Sequence, residues 1–227
     1  MHPLLLPGVY APQDDTRLLA RALYDEPVPP GADVLDVGTG SGALALAAAR
    51  RGTRVTAVDA SWRAVCAARA NALLAGVSLR VRHGHLFAPV RGETFDLVLA
   101  NPPYVPAPDG APRRPGAHGG PHGPRGAARA WDAGHDGRLV LDEICREAHG
   151  MLRPGGVLLV VQSALSAPDQ TLQRLRAAGL KAAVTRRRRV PFGPVLRARE
   201  HWLREQGLLG AAEDSEELVV IRAERPV

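Results

Sequence analysis

Asp33-Val34-Leu35-Asp36-Val37-Gly38-Thr39-Gly40-Ser41-Gly42 is the stretch that decides the fold. A short apolar strand runs into a glycine-rich turn, and Ala43-Leu44-Ala45-Leu46-Ala47-Ala48-Ala49-Arg50 continues it as a helix. Glycine lets the backbone bend tightly and approach a ligand, and a helix N-terminus offers free N–H groups. Nicotinamide, flavin and S-adenosylmethionine (SAM) sites all use such a turn. Two acids narrow the choice. Asp36 stands two residues before the first glycine of the turn, where a carboxylate suits a cationic group such as the SAM ammonium, directly or through water, and repels a pyrophosphate. Thr53-Arg54-Val55-Thr56-Ala57-Val58-Asp59 reads as a second strand ending in another acid, placed to accept both hydroxyls of a ribose. Together these residues favour SAM over a dinucleotide; an ordinary βαβ unit with two incidental acids is the alternative.

Outward from this unit the chain alternates strand and helix. Helices are expected at 13–24, with Asp14, Asp15 or Thr16 near the start, and at 42–51, 62–75, 137–152, 167–178 and 195–206. Strands are expected at 33–37, 54–59, 78–82, 95–100, 157–161, 181–188 and 217–222. Arg153-Pro154-Gly155-Gly156 reads as the stop of the helix before the fifth strand, and Gly179 closes the next helix. The pattern predicts an α/β fold: a Rossmann-like, seven-stranded, mostly parallel sheet with helices on both faces and an antiparallel last strand. Ligands then belong at the carboxyl ends of the strands, where Gly38, Asp59 and Asn101 all fall.

The fourth strand, Phe95-Asp96-Leu97-Val98-Leu99-Ala100, leads into Asn101-Pro102-Pro103-Tyr104. This loop can grip a planar –NH2 group. Such a nitrogen is a poor nucleophile because its lone pair is delocalised, so an enzyme that alkylates it must orient it through both N–H bonds. The Asn101 side-chain oxygen and the Pro102 carbonyl are two acceptors at suitable spacing. Proline has no N–H and a fixed φ, which keeps the loop stiff, and Tyr104 can stack on a flat group. A plain proline-rich turn is the alternative reading.

Composition sets limits. A chain of 227 residues suits one α/β domain, taken as residues 31–227, with residues 1–30 forming a segment and helix that pack over the cofactor site. No run of about eighteen apolar residues suggests a transmembrane helix. Met1-His2-Pro3-Leu4-Leu5-Leu6-Pro7-Gly8 lacks the basic start of a secretory signal, and Cys66 and Cys145 read as reduced core or half-buried thiols. A cytoplasmic location is therefore expected. The net charge of +6 and a pI near 10.3 invite a nucleic-acid reading. Lys181 is the only lysine among abundant Arg and Ala, which looks like a GC-rich codon bias, and a basic average is weaker evidence than a basic face.

The pairing of Asp36-x-Gly38-x-Gly40-x-Gly42 with Asn101-Pro102-Pro103-Tyr104 resembles the class I SAM-dependent amino-methyltransferases, which act on adenine, cytosine, guanine or protein glutamine. Three segments are similar to the HemK-type glutamine branch. They are Val9-Tyr10-Ala11-Pro12-Gln13-Asp14-Asp15-Thr16-Arg17-Leu18-Leu19, Ala130-Trp131-Asp132-Ala133-Gly134-His135-Asp136-Gly137-Arg138, and Leu152-Arg153-Pro154-Gly155-Gly156. The likeness covers about residues 9–185. The longer bacterial release-factor enzymes carry an N-terminal helical domain, so this chain resembles the short eukaryotic and archaeal branch, whose members work with a small zinc-binding activator protein.

The resemblance implies roles. Thr16 lies over the SAM site, Asp36, Gly38 and Gly40 hold its methionine end, and Asp59 its ribose. Asn101 and the Pro102 carbonyl take the target amide, with Tyr104 packed beside it. The acceptor is then a protein glutamine, by resemblance the Gly-Gly-Gln loop of a translation release factor. One departure stands out: Gly84-His85-Leu86-Phe87 falls where the family has Gly-Asp-Leu-Phe, whose Asp accepts the adenine amino group. His85 can accept through one ring nitrogen and the Leu86 backbone can still read the adenine edge, so weaker, pH-dependent SAM affinity is expected.

Rival readings remain. The same grip serves a nucleic-acid or small-molecule amino-methyltransferase, although no target-recognition or RNA-binding segment is evident and no membrane role is implied. A degenerate fold serving as a binding module is a non-enzymatic reading that the intact Asn101–Tyr104 loop opposes. Arg186-Arg187-Arg188-Arg189 can bind phosphates, but a strand alternates faces, so solvated edge charge is favoured. His118, His122 and His135 flank a Gly/Pro loop without cysteines, a poor metal site. Trp131 can buttress the target loop or sit in a core, and Trp202 is expected to dock a tail helix on the core.

Overall fold

The computed structural model describes residues 4–108 and 133–227. Seven strands form one sheet in the order β3-β2-β1-β4-β5-β7-β6. They are β1 (Asp33–Val37), β2 (Arg54–Asp59), β3 (Arg80–His83), β4 (Phe95–Ala100), β5 (Leu152–Ser163), β6 (Lys181–Pro191) and β7 (Ser215–Glu224). Helices α1 (Asp14–Asp25), α2 (Ala43–Ala49), α3 (Trp62–Leu74), α4 (Leu139–Met151), α5 (Pro168–Ala177) and α6 (Pro194–Glu205) connect or flank them. Strands β1 to β5 pair in parallel, while β7 is antiparallel to both β5 and β6. This is the expected Rossmann-like architecture. β6 therefore runs in the same direction as β5, and both end at the rim where β1, β2 and β4 end.

Central strands buried on both faces are continuously apolar because helices cover them on each side. Leu97, Val98, Leu99 and Ala100 of β4 and Leu158 to Val161 of β5 are at most 1% exposed. Alanine dominates α2 and α3. Its small side chain lets the backbones approach: Gly42, at the start of α2, lies where a Cβ would meet Ala68 at 3.2 Å.

Two boundaries differ from the sequence reading by three residues or more. β5 starts at Leu152 rather than Val157, because Leu152 already pairs with Phe95, and the register then shifts so that Leu97 faces Val157. The Arg153-Pro154-Gly155-Gly156 segment is thus an irregularity within the strand. Gly155 N–H donates to Arg225 O, and a Cβ at Gly156 would lie 2.9 Å from Phe95 O. β6 extends to Pro191 because Arg189, Val190 and Pro191 find partners in Glu217, Glu216 and Ser215. Cys66 is exposed rather than half-buried; Cys145 is buried, and burial pushes its thiol up to about 11.

At the amino ends of β1, β2 and β4 an ion network closes the sheet. Arg54 donates to both Asp33 oxygens (2.7 and 2.9 Å), and Arg153 bridges Asp33 (2.6 Å) and Asp96 (2.7 Å). Hydrogen bonds and charge from Arg54, then Arg153, hold the Asp33 carboxyl at about 2 against its ordinary 3.8. A depressed acid stabilises the fold above its unfolded value and loses that contribution as pH falls through the folded value. Asp33→Asn should therefore lower the melting temperature at pH 6, and the two proteins should converge between pH 4 and pH 2 in thermal melts.

Candidate active site

The turn after β1 is built from three glycines in left-handed conformation, Gly38, Gly40 and Gly42 (φ 70°, 56° and 85°). Gly38 and Thr39 donate to Val58 O, which ties the turn to β2. Asp36 is fully buried beneath it: Oδ2 accepts from Thr39 Oγ1 (2.6 Å) and Ala45 N (3.1 Å), while Oδ1 has no partner among the described residues. Burial pushes this carboxyl up to about 6. Thr39 is a site residue that sequence reasoning passed over, although its place between two motif glycines was a signal.

Asp59, at the end of β2, joins two turns. Its Oδ2 accepts from Gly40 N (2.9 Å) and its Oδ1 from Ser61 N (2.8 Å), which leaves one lone pair on each oxygen for a diol. Burial raises its pKa, and those two N–H bonds work against the rise. Gly8, Val9, Tyr10, Gly38, Gly40, Asp59, Ser61 and Ala64 surround a cavity of about 60 Å³. The N-terminal segment reaches it because Asn71 clamps Leu4 through both backbone groups (2.6 and 2.9 Å) and also donates to Ser41 O.

The loop after β3 lies beside Asp59, with Gly84 N–H donating to Asp59 O (2.9 Å). Leu86 is held at φ 43°, uncommon for a side chain of its size. His85 Nε2 lies 3.0 Å from Glu143 Oε2 on α4. A carboxylate accepts only, so His85 Nε2 carries a proton, and in the neutral tautomer this leaves the lone pair on Nδ1. Glu143 was invisible in the sequence because 58 residues separate the pair.

The Asn101–Tyr104 loop meets the start of α1. Asp15 is buried there and does not cap the helix. Its Oδ1 accepts from Thr16 N (2.5 Å) and Thr16 Oγ1 (3.1 Å), and its Oδ2 from Tyr10 OH (2.8 Å) and Tyr104 OH (3.1 Å). The Thr16 hydroxyl spends its single proton on Asp15, so it can only accept from Asn101 Nδ2 (3.2 Å). That orients the Asn101 amide: its NH2 is committed to Thr16 and its oxygen is left to accept from a ligand. Pro102 and Tyr104 are buried, and burial with the nearby Asp15 charge raises the Tyr104 pKa well above its ordinary value. Glu216 on β7 is also buried, with Oε2 unpartnered; burial pushes it up to about 7 against the Ser163 hydrogen bond.

The remaining candidates are dispersed. His118, His122 and Trp131 lie outside the described residues. His135 stands edge-on to Trp202 with ring centres 5.4 Å apart, and Trp202 packs against the core. Among the described residues no group of three His, Cys, Asp or Glu could hold a metal ion. The arginine run alternates: Arg186 and Arg188 face Asp25 and Asp14, and Arg187 pairs with Glu217. No helix of the described residues is long and apolar enough to cross a membrane.

Fold and site together define a Rossmann-like methyltransferase. The family model for the methyltransferase small domain matches residues 4–110. A Methanocaldococcus jannaschii protein, named by inference a protein N5-glutamine methyltransferase, is 34% identical over 189 residues, covering 83% of this chain and 89% of that one. The chain belongs to this HemK-type family of SAM-dependent N-methyltransferases. The Deinococcus radiodurans release factor glutamine methyltransferase is 39% identical over 173 residues, which cover 75% of this chain and 56% of that enzyme. The chain thus spans about half the length of such bacterial relatives. Solved structures that share the fold include the following two. The E. cuniculi Mtq2–Trm112 complex, responsible for methylation of the eRF1 translation termination factor, has TM-score 0.65 and 22% identity, covering 96% of this chain and 99% of that one. The T. thermophilus 16S rRNA N2 G1207 methyltransferase with AdoMet and guanosine has TM-score 0.61 and 21% identity, covering 97% and 46%.

An acid whose folded pKa is raised costs the fold stability once pH exceeds its unfolded value. The ligand-free protein should therefore gain stability as pH falls from 7 to about 4.5, from Asp36 (about 6) and Glu216 (about 7). Asp36→Asn should remove the part between pH 6 and 4, leaving the Glu216 part, in melts across that range.

Proposed function

We propose that this protein transfers a methyl group from SAM to the side-chain amide nitrogen of a protein glutamine, in a release-factor type of acceptor. The observation that carries the reading is the direction of the Asp15–Thr16–Asn101 hydrogen bonds, which presents an amide oxygen as a fixed acceptor at the rim shared with the glycine turn. Names of the relatives in M. jannaschii and D. radiodurans support glutamine as the target.

The residues fit SAM. Gly38 and Gly40 form a cradle without side chains, Asp59 offers two acceptors for a ribose, and Asp36 acts from below through its unpartnered Oδ1. Leu86 and His85 Nδ1 read the adenine edge, and Thr16 and Asn101 close the methyl end. When bound, SAM supplies a methyl group on a cationic sulfur, already activated for displacement. The protein's task is then positioning and electrostatics. Asn101 Oδ1 and the Pro102 carbonyl accept the two N–H bonds of the amide, turn its lone pair toward the methyl group and favour the positive charge that develops on nitrogen. Tyr104 packs beside it. No strong base is needed, because the alkylated nitrogen is acidic and gives its proton up to water.

A small activator protein, like the Trm112 that accompanies Mtq2, has a fitting surface. β3 is one of the two outer strands of the sheet, and Trp62 (60%), Leu73 (83%) and Leu74 (60%) on neighbouring α3 are exposed. Coexpression with a Trm112-type protein should give a one-to-one complex in gel filtration, and Leu73→Asp should dissociate it.

Asn101→Ala should abolish transfer of labelled methyl to a release factor while leaving SAM affinity within about twofold by calorimetry; equal losses would mark Asn101 as structural. Glu143→Ala should weaken SAM binding roughly fivefold, the ~1 kcal/mol of one hydrogen bond, by freeing the His85 tautomer. His85→Asp should tighten binding only when Glu143→Gln accompanies it, because two facing carboxylates repel. Unchanged affinity in Glu143→Ala would remove His85 from the adenine site.

A further inference from the structure

The backbone of residues 101–108 contains Pro102, Pro103, Pro106 and Pro108. Four missing N–H donors leave this loop few ways to hydrogen-bond to its neighbours as a donor. It must be held through its carbonyls, by donors that other elements supply. Ser166 Oγ donates to Tyr104 O (2.5 Å), and Arg199 Nη1 donates to Val105 O (2.6 Å) and Pro106 O (3.2 Å). One N–H is used in return, from Ala107 to Gly134 O (3.1 Å). Gly137 lies directly under the loop: a Cβ there would stand 2.2 Å from Tyr104 O.

Arg199 comes from the connection between β6 and β7, residues 192–214. That connection leaves the sheet at the ligand rim, because β6 and β5 are both antiparallel to β7. Phe192, Leu196 and Leu203 are buried and fix α6 to the core, while Gly193 lies against Gln13, just before the residues that hold Asn101. Trp202, one turn beyond Arg199, meets His135 on the 133–138 segment. The connection therefore grips both supports of the acceptor loop.

We propose that Arg199 is a positioning residue for methyl transfer. It fixes the Val105–Pro106 backbone from outside, and through that backbone sets the Pro102 carbonyl and the Asn101 amide oxygen in register with the acceptor nitrogen. The inference rests on the reading that the Asn101–Tyr104 loop takes the acceptor amide. Both bonds leave one guanidinium nitrogen, Nη1, whose N–H directions are fixed by the planar group, whereas a lysine ammonium on its flexible stem holds the same carbonyls less rigidly.

The test uses the full chain, labelled SAM, and two probes: a Gly-Gly-Gln peptide and a purified release factor. Arg199→Met should lower kcat roughly 10- to 100-fold, as expected for a misplaced acceptor grip. SAM affinity by calorimetry and the melting temperature should stay close to wild type, and amide exchange at Val105 and Ala107 should quicken. Arg199→Lys should recover part of kcat. Wild-type kcat in Arg199→Met overturns the proposal. So does a parallel loss of SAM binding and melting temperature, which would make Arg199 a fold residue. A wild-type protein that methylates neither probe overturns the acceptor reading itself, and the inference with it.

Discussion

One buried carboxylate organises the surroundings of the Asn101–Tyr104 loop. Asp15 receives four hydrogen bonds, two from Thr16 and one each from Tyr10 and Tyr104. A carboxylate cannot donate, and that simple constraint propagates outward. The Thr16 hydroxyl must point its proton inward, Asn101 must give Thr16 its NH2, and the amide oxygen must face the opposite way. Without Asp15, the Asn101 amide would have no reason to prefer one orientation over its flip. The four donors converge on a side chain buried so deeply that only 4% of its surface meets solvent, and they replace the water it gives up.

The same economy recurs around the glycine turn. Asp59 fastens the glycine turn and the start of α3 with one oxygen each, and keeps capacity for a ligand on both. Asp36 is different. Sunk below the turn, it spends one oxygen on Thr39 and Ala45 and leaves the other unsatisfied. A buried orphan acceptor is costly, and the raised pKa expresses that cost. The paired network of Asp33, Arg54, Arg153 and Asp96 at the far end of the strands behaves in the opposite way, with ionisation favoured. Stabilising charge thus lies at the amino ends of the strands and strained charge at the carboxyl ends, where the glycine turn and Asn101 stand.

Much of the fold was legible in the chain. Apolar runs ending in Gly-rich or Pro-rich turns placed the central strands, because a strand covered on both faces carries its pattern locally. Boundaries were missed at Leu152 and at Pro191, where cross-strand partners, rather than residue preference, extend the ladder. The glycine turn, Asp59 and Asn101 could be read as one site because topology sends every parallel strand end to the same rim. Asp15 could not. In sequence it is one of three polar residues near a helix start; its role arises only because Tyr104, 89 residues away, arrives beside it.

The sequence by itself determined which chemical groups stand at the ends of the strands, since the alternation of strand and helix and the turn residues are local properties. Only the tertiary structure decided which way those groups face. The Asn101 amide direction, the protonated nitrogen of His85 opposite Glu143, and the hold of Arg199 on Val105 and Pro106 each depend on a partner between 58 and 94 residues away. Hydrogen-bond direction is set by whichever donor or acceptor lies opposite in space, and that information exists only once the chain has folded.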